Sequence, residues 1–223
     1  MRGVLVCGMD ARPLETAMHR PVVTALVTRP DIARHWLDTL SRRLDGPFHL
    51  HLFFTFSGIR HANELTRQAL TPGGPARLGQ RVVCAYSHAR QQPAVALDGE
   101  LGFVMGGLAN LAELISTSAT TLCLPRLHWT ALEGPGRRRI ALLPPAADDW
   151  QADSELESLR IATGLAGLNH HLRLYGLGPE RSQVPPSQAA PYREALQVLG
   201  ADWAQGGHPD DAREDGAQVI LEV

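Results

Sequence analysis

The stretch HLFFTFSGIRHANELT, residues 51–66, carries Leu52, Phe53, Phe54 and Phe56 and then stops at Ser57-Gly58. A short apolar run closed by Ser-Gly reads as a buried strand that ends in a turn. The polar residues that follow, NELTRQAL (63–70), read as a short helix ended by TPGGP. Upstream, PVVTALVTRP (21–30) is a Val-rich strand bounded by prolines. ARHWLDTLSRRL (33–44) then places Trp36, Leu37, Leu40 and Leu44 on one helical face, with Asp31 available as N-cap. Downstream come a third strand, QRVVCAY (80–86), a helix opened by glycines, GGLANLAELISTS (106–118), and a fourth strand, TTLCLP (120–125). Strands that alternate with helices specify an α/β fold, a mostly parallel sheet with helices on both faces. GVLVCG near the N-terminus supplies a candidate additional edge strand.

After EGPGRRR, a Gly- and Pro-containing linker, the plan starts again. RRIALLPP is a strand, SELESLRIATGLAGL (154–168) a helix, and HHLRLYGLG (170–178) a strand matching HLHLFFTFSG in type and order. YREALQVLGA (192–201) and AQVILEV add a helix and a closing strand, and ERSQVPPSQAAP (180–191) reads as a loop. The expectation is a diverged duplication. Residues 1–20 form an extension or edge strand, 21–125 the first domain, 126–138 the linker and 139–223 a shorter second domain.

Composition narrows the class. The 223 residues are 44% hydrophobic and 20% charged, with a formal net charge of −2, which is ordinary for a globular chain. All 21 basic residues are arginine, and the balanced charge gives no global case for binding nucleic acid or an acidic membrane. No apolar run is long enough for a membrane span, and the N-terminus falls short of a secretory signal. Three cysteines, Cys7, Cys84 and Cys123, form no CxxC pair and suggest neither a disulfide scaffold nor zinc. A cytoplasmic protein with reduced thiols is the expectation.

The chemistry centres on Cys84, which follows Arg81-Val82-Val83 and precedes Ser87-His88-Ala89-Arg90. Open parallel sheets place reactive groups outside the carboxyl ends of their strands. A thiol there faces a crevice and the start of the next helix, where backbone N–H groups, His88 and Arg90 favour the attacking thiolate. The same position also suits a small buried hydrophobe, the usual state of an unpaired cysteine. Cys123, inside TLCLP, reads as structural, and so does Cys7. No metal is expected: His61 and Glu64 lack a third ligand, and His170 and His171 point to opposite faces of a strand. The acidic cluster Asp210, Asp211, Glu214 and Asp215 reads as a solvated loop. Gly102, Gly106 and Gly107 have neither the lysine nor the spacing of a phosphate loop.

Several stretches together resemble the DsrE/DsrF/TusD-type sulfur-relay family. They are Phe53-Phe54, Gly58-Ile59, Ala62-Asn63 and Leu65-Thr66, then Cys84 with Arg90 six residues on, the run Gly107-Leu108-Ala109-Asn110-Leu111-Ala112, and TTLCL. Order and spacing agree over about residues 21–125. More faintly, RIALL, LRLYGLG and VILEV resemble the cysteine-free TusC/DsrF-type partner subunits, and no cysteine follows Cys123. The chain thus looks like a fusion of an active and an inactive subunit. The resemblance implies two tandem domains of this fold and a sulfurtransferase without a cofactor. Cys84 would carry sulfane sulfur as a persulfide, with Gly58, Asn63, His88 and Arg90 in supporting or pocket roles. It further implies an upstream persulfide donor, a small cysteine-containing acceptor of the DsrC/TusE type, and a homo-oligomer such as a trimer forming a pseudo-hexamer. The pathway would be tRNA thiolation or sulfur oxidation. Two other readings stand beside it: a non-catalytic assembly or regulatory subunit, and a thiol redox sensor with Cys7 as the resolving thiol.

Overall fold

Val22–Val27 forms strand β1, and its alternating side chains are apolar on both faces: Val23, Ala25 and Val27 enter one core and Leu26 another. Such two-sided burial is the signature of a central parallel strand. A computed structural model describes residues 20–29, 36–44, 46–91, 93–124, 128–131, 136–144, 152–204 and 209–222. In chain order the first half contains α1 (Trp36–Leu44), β2 (Phe48–Phe54), α2 (Ala62–Ala69), β3 (Ala76–Cys84), α3 (Ala85–Arg90), β4 (Val104–Gly106), α4 (Leu108–Thr117), β5 (Thr120–Leu124) and β6 (His128–Ala131). The second half contains β7 (Arg139–Leu143), α5 (Ala152–Gly167), β8 (His171–Tyr175), α6 (Pro186–Val198), β9 (Asp202–Ala204), α7 (Pro209–Glu214) and β10 (Val219–Glu222).

The fold is α/β, with two sheets flanked by helices. The first sheet has six strands in the order β4-β3-β2-β1-β5-β6, all parallel except β6, which pairs antiparallel with β5. The second has four parallel strands in the order β10-β7-β8-β9. Read from its other edge, β9-β8-β7-β10 repeats the order β3-β2-β1-β5 of the first sheet.

Three apolar clusters define the layers. One lies outside the first sheet under α1 and α2 and includes Trp36, Leu40, Ile59 and Leu65. Another lies outside the second sheet, where Ala212 of α7 meets Ala141 and Tyr175. The third is continuous between the sheets. It joins Leu26, Phe53 and Val82 of the first sheet, Leu111 and Ile115 of α4, Leu159 and Leu165 of α5, and Leu142, Leu174 and Leu221 of the second. A fully buried Leu or Ile contributes about 1.5–3 kcal/mol, so the halves share a core that neither could cover alone. Helix α5 sits at its centre, and no residue from 154 to 166 is exposed. Its contact with α4 depends on Gly164: a Cβ there would lie 2.3 Å from Leu108 Cδ1.

Several expectations change. Residues 128–131, inside the stretch read as a linker, form β6, because the edge of β5 has backbone groups to pair. Helix α6 begins at Pro186 rather than 192 and carries Pro191 at its sixth position, so the loop at 180–191 is shorter than expected. The short elements β4, α3, β9 and α7 were not legible as periodic segments. All but the last residue of the expected extension at 1–20, GVLVCG and Cys7 included, and the Asp31 cap lie outside the described residues.

Candidate functional site

Cys84 is the last residue of β3 and the N-cap of α3, where the chain turns from strand (φ −63°, ψ 114°) into helix. Its side chain points between the two sheets with Val82 and Phe53, not outward. The crevice expected at this strand end is filled: Cys84 is 0% exposed, and α5 of the second half covers it. The reason is tertiary. A sheet rim is open only when no other element packs there, and here the second sheet places its central helix against the rim.

Within that apolar setting the sulfur meets a polar group. Arg160 of α5 donates from Nη2 to Cys84 Sγ at 3.3 Å. Its guanidinium lies over the Tyr86 ring, 4.1 Å from the centroid, a cation–π contact across the two halves. One turn back on α5, Glu157 is 5% exposed and reaches the ends of β2 and α3. It accepts from Thr55 Oγ1 at 2.8 Å and from Ser87 Oγ, and Thr55 and Ser87 are themselves 2.8 Å apart. Glu157 Oε1 stands 4.0 Å from Arg160 Nη2. A buried carboxylate is tolerated only when donors and a cation surround it, and these three groups supply them.

The backbone beside this cluster is strained. Phe56, next to Thr55, has φ +48°, a left-handed conformation that a non-glycine side chain disfavours. Its carbonyl accepts from Gln91 Nε2 at 3.0 Å, and Gln91 Oε1 accepts from Arg60 Nε at 3.0 Å, which pins the turn. Unfavourable dihedrals of this kind persist only where the surroundings over-determine them.

The supporting residues expected from sequence are engaged elsewhere. Gly58 packs the turn onto β1, donating its N–H to the carbonyls of Thr28 (3.0 Å) and Thr55 (3.1 Å). Asn63 clamps the 96–98 loop, donating from Nδ2 to the Ala96 carbonyl at 2.8 Å and accepting from the Asp98 N–H at 3.0 Å. His88 Nε2 meets the Val95 carbonyl at 2.9 Å. Arg67, 2.7 Å from Asp98, holds that carboxyl below the usual range, chiefly by donating a hydrogen bond to it. Asn63 and His88 therefore secure one loop together. Arg90 is exposed, and its guanidinium lies 5.5 Å from the Tyr86 ring centroid.

Thr55, Tyr86, Ser87, Glu157 and Arg160 were missed in the sequence reading. One signal was available: SELESLR places acids and a base inside a helix whose next turns are apolar. That pattern also fits a helix end in solvent, and only the packing decides. Cys123 is buried within β5. Among the described residues no cluster of three His, Cys, Asp or Glu could hold a metal, and no helix is long and apolar enough to cross a membrane. In comparisons with known proteins the chain matches no family model, no curated protein and no solved structure.

Proposed function

We propose that the protein is a sulfur carrier of the relay type, with Cys84 as the thiol that accepts and passes sulfane sulfur. The observation that carries this reading is the bond to Sγ: a thiol at the carboxyl end of a parallel strand, buried in the shared core and met there by a guanidinium. Arg160 thus places a charged donor directly at the sulfur. The chemistry balances without a cofactor. Cys84 thiolate attacks the outer sulfur of a donor persulfide, the donor's S–S bond breaks, and the donor leaves as a thiolate. An acceptor thiolate then attacks the outer sulfur of Cys84–S–SH and releases Cys84 as thiolate. Loading requires α5 to draw back from the rim. The repeated strand order of the two sheets supports the reading of two fused subunits. On the same proposal one is active and the other inactive, and copies of the chain assemble into a homo-oligomer, such as a homotrimer, in a reducing cytoplasm. A persulfide donor and a small cysteine-bearing acceptor are the partners.

Intact mass measured after incubation with a persulfide donor tests this. The wild type gains one or more sulfur atoms, Cys123→Ala still gains them, and Cys84→Ser gains none. A wild type of unchanged mass ends the proposal. A second reading, a non-catalytic assembly subunit, is favoured by the complete burial of Cys84. It expects no mass gain and alkylation of Cys84 only on unfolding.

A further inference from the structure

On the reading of Cys84 as the sulfur-carrying thiol, we infer that Arg160 is a positioning residue that grips the persulfide at two points, Nη2 on Sγ and Nε on the outer sulfur. Nη2 already donates to Sγ at 3.3 Å. Nε is buried and has no hydrogen-bond partner. A buried N–H without an acceptor is costly; the Nε of Arg193 shares that state among the described residues, but the Nε of Arg160 sits on the group that bonds the sulfur.

The geometry of the guanidinium says what the missing acceptor is. It is planar, and Nε–H runs parallel to one Nη2–H along one edge, the fork that holds a carboxylate by both oxygens. With Sγ on one prong of that fork, the other would meet an acceptor one bond beyond Sγ. The S–S bond of a persulfide, about 2.05 Å long, spans a distance close to that between the two oxygens of a carboxylate. The outer sulfur of Cys84–S–S⁻ therefore has the position and the charge that the free prong requires. After loading, the terminal S–H gives its proton to solvent and the resulting S⁻ takes the Nε–H.

Both halves of the chain hold the fork in place. Tyr86 lies under the guanidinium plane, and Glu157, fixed by Thr55 and Ser87, stands one turn away on α5. The half without a usable cysteine thus supplies the cation that retains the sulfur.

The test loads full-length wild type, Arg160→Met and Arg160→Lys with a low-molecular-weight alkyl persulfide. After donor removal, the persulfide is followed by intact mass, alongside thermal unfolding of each variant. The persulfide on Arg160→Met decays about tenfold faster than on wild type, the effect of one charge-assisted hydrogen bond. Arg160→Lys, which keeps the charge and loses the fork, lies between them. Equal decay in all three overturns the grip while leaving Cys84 as carrier. Lysine as good as arginine overturns the two-point geometry. Faster decay matched by an equal fall in unfolding temperature reduces Arg160 to packing and overturns the positioning role. If Arg160→Met does not fold, Arg160→Lys decides alone: decay equal to wild type overturns the inference. A wild type that takes up no sulfur removes the carrier reading itself, a different result from any of these.

Discussion

Gly58 shows how the structure gives a packing reason for a residue that the sequence singles out. In the sequence it ends an apolar run and belongs to the stretches that resemble sulfur-relay proteins, so a pocket wall was expected. In the structure it is the point where the turn after β2 is pressed onto the end of β1. A Cβ at Gly58 would lie 2.4 Å from the Val27 carbonyl oxygen and 2.7 Å from its carbon. Those are backbone atoms and cannot rotate away. Gly58→Ala is therefore expected to cost about 1–3 kcal/mol, the range for overpacking a tight site. A denaturant midpoint that does not move would contradict this. Cys84 was legible at the same scale as the one thiol at a strand end. Its burial and its bond to Arg160 were not, because the two are 76 positions apart in sequence.

Among the elements, α5 shows best how packing overrides pattern. Its sequence reads as a helix, and it is one. A helix covered on one side shows a simple apolar stripe, whereas no residue of α5 from 154 to 166 is exposed and eight of them are buried. Glu155 and Glu157, which look like a solvated first turn, are both buried. Glu155 accepts from Arg193 Nη2 (2.9 Å), Ser182 Oγ (2.6 Å) and the Gln183 N–H (2.7 Å), which ties α5 to α6 and the loop before it.

The entry to β8 carries a further polar tie. His170 Nδ1 accepts from the Arg138 N–H at 3.1 Å, and Nε2 lies 3.4 Å from Ser116 Oγ of α4. Burial, countered in part by the Ala112 backbone and reinforced by Arg138 and Arg137, keeps His170 below its ordinary value of 6.5. The neutral ring is thus the folded form, and the unfolded chain binds the proton more readily. Its contribution to stability is complete above about pH 6.5 and is lost as pH falls toward and through the folded value. His170→Gln, neutral throughout, should flatten the fall in urea midpoint between about pH 7 and pH 5. A variant with the wild-type slope would show that other groups carry it.

At the scale of the whole molecule, the continuous core between the sheets makes one prediction that two independent domains would not. Leu159 and Leu165 of α5 pack with Leu26, Phe53 and Val82 of the first sheet and with Leu142 and Leu174 of the second. Losing either half strips apolar cover from the other. Thermal unfolding followed by near-UV and far-UV circular dichroism should show one coincident transition. Two separated transitions would mean that the halves fold alone.

Most of the architecture was legible in sequence. Short apolar runs for the strands and helical spacing of apolar residues, with Gly and Pro between them, gave the order of the long strands and helices and the likeness of the two halves, because those signals act within a few residues. The short elements β4, β6, β9, α3 and α7 were not, since three to six residues hold too little of any period and are stabilised by neighbours already in place. The sequence alone determined an alternating α/β chain with one thiol at a strand end. Only the tertiary structure decided that the thiol is enclosed and faces a cation from the opposite half, because a contact across one shared core depends on how two sheets pack and leaves no mark on local periodicity.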